Sequence, residues 1–262
     1  STAYDISTAS YATKSFLASS QSANSYAVDF KTDGTKMYIL GLTNDSVYQY
    51  TLSTAWDVST ASYDTVSFSV NSEEATPAHV EFKADGTSFY IVGVGQDTIF
   101  QYDMTTPWDI SSGSASYASK SFATGLVNPY HFTFKPDGTE VYVSEAADII
   151  TRFVLGTAWD ISTVYSGFIT NDTLNVSATT TGDVALQFNG DGTKLIVGGD
   201  TGDTIDEYTT STTTTIVYDT SIQFEEGTAP TTTEPDETDI IVFSTRDGGT
   251  SYQAAQAVDG AL

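Results

Sequence analysis

The sequence holds two histidines, His79 and His131, and each stands three residues before a phenylalanine in text that otherwise repeats. Imidazole is the side chain best suited to metal ligation and to general-base work near neutral pH. Glu81 lies two residues past His79, and Asp29 holds the corresponding place in the preceding repeat. Residues two apart on an extended strand share a face. Asp29, His79, Glu81 and His131 are therefore expected to line a central channel, where they could hold a metal or a base. The remaining repeats do not complete such a set: alanines (Ala27 and Ala185) correspond to the histidines, and Thr133 and Gln187 to the carboxylates. A polar face in a solvated channel needs no chemistry to explain it. A second constellation is GGDTGDTIDE, where Asp200, Asp203, Asp206 and Glu207 crowd one turn. Oxygen-only clusters suit calcium, which makes Asp200, Asp203 and Asp206 the candidate metal residues and calcium the candidate ion. The spacing is not that of an EF-hand loop. Asp203 also has the counterparts Asp45, Asp97 and Asp148, so turn formation is the simpler reading. No phosphate loop, nucleophile elbow or His-Glu-x-x-His is present. The absence of cysteine excludes thiolate catalysis and Cys-based metal sites. No catalytic residue and no cofactor other than calcium is expected.

These residues are carried on a repeat. Asp33, Asp85, Asp137 and Asp191 each open an Asp-Gly-Thr, at intervals of 52, 52 and 54 residues. An aromatic-Asp pair recurs at Tyr4, Trp56, Trp108 and Trp159, at intervals of 52, 52 and 51. Two unrelated markers on one period indicate an array of small supersecondary units. Each unit reads as four strands. The outermost is SYATKSF at residues 10–16, echoed at 62–68 and 116–122. SYAVDF follows with period-2 alternation, then KMYILG, apolar on both faces, then SVYQY. Asp-Gly predicts a tight hairpin whose two central residues both need positive φ. The connection STAWDVST carries Asp and Ser/Thr side chains able to bond local backbone, and a Trp able to cover the edge between units.

The fold class is thus all-β: a four-bladed or larger β-propeller of about 52-residue repeats, followed by a small β-module. The propeller is placed at residues 1–210, with repeats at about 1–52, 53–104, 105–155 and 156–210, and the module at 211–262. Phe30, Phe82, Phe134 and Phe188 should be equivalent buried residues. With the outer strand first, residues 10–16 should pair with the last repeat near residues 204–208 and seal the ring. After the STTTT linker at 211–215, YDTSIQF at 218–224 echoes YDTVSFSV, but the missing Trp-Asp and the long acidic loop favour a separate module over a fifth blade.

Nine Lys+Arg against 34 Asp+Glu give a net charge of −25, which repels nucleic acid and anionic membranes. No apolar run is long enough to span a bilayer, so no membrane insertion is expected. The chain begins at Ser1 rather than Met, which leaves room for residues upstream. FKPDGT at 134–139 followed by VYV resembles the blades of WD-repeat and lactonase-like propellers, a likeness specific for fold and not for activity. STAWDVSTASY and FKADGT are more similar to the tandem repeats of phage tail-fibre and other virion-surface proteins. GTAP, TDIIVFSTRDGGTSY and DGA resemble a small C-terminal β-module of phage tail proteins, with Ser251-Tyr252 departing from the usual Thr-aromatic pair. The resemblances imply a non-enzymatic virion protein (tail fibre, spike or surface decoration) on the extracellular particle surface. Its partners would be other virion proteins, copies of itself, and a host-surface glycan or protein. The rival readings are a bacterial adhesin, secreted or cell-surface, and a lactonase-like metal-dependent hydrolase using the channel carboxylates.

Overall fold

The computed structural model describes residues 10–165, 173–180, 182, 184–190, 192–199, 204–210, 222–224, 240–245 and 252–258. They belong to two compact units, Ser1–Tyr208 and Thr209–Leu262. In the first unit, β1 (Ser25–Phe30), β2 (Lys36–Gly41), β3 (Ser46–Leu52) and β4 (Ala61–Ser69) form one antiparallel sheet in chain order. The second sheet is β5 (Pro77–Phe82), β6 (Ser88–Gly93), β7 (Thr98–Met104) and β8 (Ala115–Ala123). The third is β9 (Pro129–Phe134), β10 (Glu140–Glu145), β11 (Ile149–Val154) and β12 (Thr173–Asn175). The fourth has three strands, β13 (Ala185–Phe188), β14 (Lys194–Gly198) and β15 (Ile205–Thr209). These four sheets are the blades of a β-propeller, and the innermost strands pack in succession, β1 on β5, β5 on β9 and β9 on β13. The second unit contains β16 (Ile222–Phe224), β17 (Ile240–Thr245) and β18 (Tyr252–Val258), in the order β16-β18-β17. β16, which carries the end of the YDTSIQF text, pairs in parallel with β18.

The two sequence markers prove to be one structural unit. Gly34, Gly86 and Gly138 adopt φ near +71° to +73°, while the aspartates before them do not enter the left-handed region. Each turn therefore differs from the tight hairpin expected: Gly34 N–H bonds the Lys31 carbonyl and Lys31 N–H bonds that of Lys36, a longer loop whose positive-φ residue is the glycine. The aspartate serves another purpose, its Oδ1 accepting the Thr35 N–H at 2.9 Å and hydroxyl at 2.5 Å. The tryptophan is laid on the glycine. A Cβ on Gly86 would stand 2.3 Å from Trp108 Cδ1, and the Trp108 N–H bonds the Gly86 carbonyl. Trp56, Trp108 and Trp159 all have φ of 63–65°, and the Asp after each caps the following turn through the N–H of Ser59, Ser111 or Ser162.

Apolar cores lie between successive sheets. Tyr38, Leu40 and Val47 of the first blade pack on Val80, Phe82 and Phe89 of the second. Tyr90, Val92 and Ile99 pack on Phe132, Phe134 and Val141 of the third. The four equivalent phenylalanines divide: Phe82 and Phe134 are buried, while Phe30 and Phe188, on the first and last blades, are half-buried. The expected closure is also corrected. Residues 10–16 form no strand, and the fourth sheet carries no outer strand among the described residues.

Candidate functional site

The inner strands explain where the candidate residues go. Because the sheets are stacked face to face, both faces of β5 and β9 meet a neighbouring blade, as one face of β1 does, and the centre of the array meets the strand edges. Val80 and Phe82 point back to the first blade, so the alternate residues His79 and Glu81 point forward to the third.

Glu81 Oε1 accepts the Phe134 N–H at 3.2 Å, and Asp29 Oδ2 accepts the Phe82 N–H at 2.7 Å. Asp29 also accepts its neighbour Phe30 N–H at 2.7 Å. Both carboxylates thus tie one blade to the main chain of the next. Burial pushes the Asp29 carboxyl up to about 6 against these hydrogen bonds. Burial, and then the charge of Asp29, push Glu81 well above the usual carboxylate range.

His79 and His131 lie ring to ring, centroids 3.4 Å apart at an interplanar angle of 31°, with Phe132 edge-on to His79. Burial holds His79 well below its ordinary value, helped by His131, and pushes His131 down to about 3. Both are neutral at physiological pH. The Nδ1 atoms of both rings are buried without a hydrogen-bond partner. Where the sequence expected four channel-lining residues, the central cavity of about 360 Å³ is bounded by Ser25, Tyr26, Ala78, Tyr130, His131, Val184 and Ala185. Of the four candidates, His131 borders it, and Asp29, His79 and Glu81 are taken up between blades. The channel assignment fails for those three because a two-sided strand faces its neighbours rather than the axis.

Of the acidic turn, Asp200 and Asp203 lie outside the described residues. Asp206 is half-buried and accepts the Thr204 hydroxyl at 3.3 Å, while Glu207 pairs with Lys194 at 2.8 Å. Among the described residues no group of three His, Asp or Glu side chains is disposed to hold a metal ion. One carboxylate escaped the sequence reading. Glu74 is fully buried and accepts the N–H groups of Thr76, Gly95 and Gln96 at 2.8–3.1 Å, fixing two loops together. Its place in the polar loop NSEEATP carries no spacing signal that marks it.

No family model matches the chain, and no curated protein matches it. Among solved structures, a protein from Lactobacillus plantarum is 18% identical, with a TM-score of 0.49 over 72% of this chain and 51% of that one. A candidate 6-phosphogluconolactonase from Bacteroides uniformis is 14% identical, with a TM-score of 0.46 over 72% and 51%. The Cps50 (Swd1) β-propeller domain of Myceliophteria thermophila is 10% identical, with a TM-score of 0.43 over 68% and 49%. The chain thus spans about half the length of the structures it is similar to, and none of these likenesses bears on its activity.

Proposed function

We propose that the chain is a non-catalytic structural protein of a phage particle, in which rigid blades display loops to a host-surface glycan or protein. One observation carries the non-catalytic part: the interior groups able to do chemistry are used to join blades. Asp29 and Glu81 hold main-chain N–H groups, and the two histidines are neutral and stacked on each other. The virion part rests on the resemblance of STAWDVSTASY, FKADGT and the C-terminal pieces to phage tail repeats. Loops held on a rigid scaffold are the usual place for recognition. An adhesin would use the same display on a bacterial surface.

The hydrolase reading is favoured by one feature, the unpartnered Nδ1 of His131, a residue that borders the central cavity. The full chain should be assayed for binding to host cells, and an antibody against it used to label intact particles and host cell surfaces. Labelled particles and saturable cell binding, with no lactone hydrolysis with or without divalent metal, are the expected results. Label on the bacterial surface alone, or metal-dependent lactone hydrolysis lost in His131→Ala, would overturn the proposal.

A further inference from the structure

Residues 10–16 have the fold of an outer strand without its sheet. Thr13 has φ 58°, matching Thr65 in β4 at 60° and Ser119 in β8 at 57°. Lys14 pairs with Asp57 at 2.6 Å as Lys120 of β8 pairs with Asp160 at 2.8 Å. Phe16 meets Tyr50 edge-on at 5.1 Å, as Phe68 meets Tyr102 at 5.6 Å and Phe122 meets Phe153 at 5.0 Å. In the two later cases the segment is the last strand of the preceding blade, hydrogen-bonded to β3 or β7. Residues 10–16 stand in that place against the first blade, with no strand paired to them among the described residues.

On β2 and β3 that face is buried, Met37, Ile39, Tyr48 and Tyr50 packing with Phe16 and Ala18, while its inner part on β1 is open. Val28 is 53% exposed, whereas its counterparts Val80 and Phe132 are 0% exposed under a preceding blade. In the later junctions, Gln49 accepts the Ile110 N–H and Gln101 the Ile161 N–H, both at 3.2 Å. Tyr38 and Tyr90 donate to the carbonyls of Trp108 and Trp159, both at 2.6 Å. The corresponding Val58 N–H and Trp56 carbonyl receive neither from any described blade. At the other end of the array, β15 is an edge with no outer strand among the described residues, and Ile205 on it is 63% exposed.

We infer that copies of this chain join head to tail, the last blade of one copy stacking on the first blade of the next. In that contact residues 10–16 add to the partner's β15 as its fourth strand. The register follows from β3 and β4, where Val47 faces Phe68, Gln49 faces Val66 and Tyr50 faces Tyr63. Transferred to the ends of the chain, Ile205 would face Phe16, Glu207 would face Lys14 and Tyr208 would face Tyr11. Glu207 stands where Gln49 and Gln101 stand, so its carboxylate is placed to accept the Val58 N–H. Ile196 stands where Tyr38 does, so the Trp56 carbonyl gains no hydroxyl. A second copy is the occupant chosen because one contact covers the open face, fills the strand edge and gives residues 10–16 a sheet at once. A head-to-tail interface of this kind closes into a ring or runs on as a filament. The inference does not depend on where the protein acts.

The full chain has no cysteine, which allows a direct test. Copies bearing Tyr11→Cys are mixed with copies bearing Tyr208→Cys under mild oxidation, and the masses of wild type and Val28→Lys are measured across a concentration series. The expected results are a disulfide joining the two variants, a wild-type mass of at least twice the monomer, and dissociation of Val28→Lys to monomer. Val127→Lys, at another exposed position, should leave the mass unchanged. A wild-type monomer at every concentration overturns the inference. So does a Tyr11→Cys/Tyr208→Cys double variant that bridges within a single chain, since the array would then close on itself.

Discussion

Trp56 and Trp108 occupy the same place in the same motif, share the same left-handed backbone, and lie on the same kind of glycine. Trp108 is 8% exposed and Trp56 is 60% exposed. The difference is the neighbour: each ring meets the phenylalanine of its own blade, Phe82 at 5.8 Å for Trp108 and Phe30 at 5.5 Å for Trp56, but Trp108 is also stacked by Tyr38 of the preceding blade at 6.2 Å. The local motif builds the turn, and the preceding blade decides whether the turn becomes core. In a linear array stability is carried by such neighbour contacts as much as by the units.

Truncating the two tryptophans separates the motif's own packing from the contact with the preceding blade. Trp108→Ala should cost about 3–5 kcal/mol in denaturant unfolding, through lost burial and a cavity between blades. Trp56→Ala should cost about 1 kcal/mol, since most of its ring is already in water. Equal losses at the two positions would mean that the inter-blade contact adds little to the motif's own packing.

A smaller effect is expected from the tyrosine hydroxyls. Tyr38→Phe removes the buried bond to the Trp108 carbonyl and should cost about 1–2 kcal/mol. Tyr142→Phe is the comparison on the third blade, where the hydroxyl donates to Glu140 on its own strand at 2.7 Å. That substitution should shift the unfolding midpoint by well under half as much. A Tyr142→Phe loss as large as that of Tyr38→Phe would show that the hydroxyl matters irrespective of blade junctions.

The smallest effect separates junctions by charge. Asp29 joins the first two blades, whereas Thr133 holds its place at the third-to-fourth junction. The folded carboxyl of Asp29 titrates at about 6, above its unfolded range, so the folded state binds more protons between these values. The resulting stabilisation is present below the unfolded pKa and is lost as pH rises through about 6. The histidines run the other way: their folded values are depressed, so their contribution holds above about 6.5 and is lost as pH falls towards the folded value. Wild type should therefore lose ground to Asp29→Asn between about pH 4 and 7, with a constant difference above that range. Thr133→Ala should show no such pH dependence relative to wild type. An Asp29→Asn difference that is flat across the range would place its carboxylate in water.

The strands were legible in the sequence because their alternation and period are local: SYAVDF, KMYILG and SVYQY fall within β1, β2 and β3. The recurrence of Asp-Gly-Thr and Trp-Asp was legible too, but not their contact, since stacking a ring on a glycine some twenty residues away leaves no mark on spacing. The direction taken by Asp29, His79 and Glu81 was likewise hidden. Period 2 assigns residues to two faces, and it does not say whether a face meets a channel or another sheet. Only the stacking of blades put the carboxylates on the N–H groups of Phe82 and Phe134 and the histidines on each other. The fate of residues 10–16 shows the same division. The sequence makes them an outer strand by their likeness to β4 and β8, while pairing depends on which sheet edge comes within hydrogen-bonding distance, and that is a property of the assembled blades.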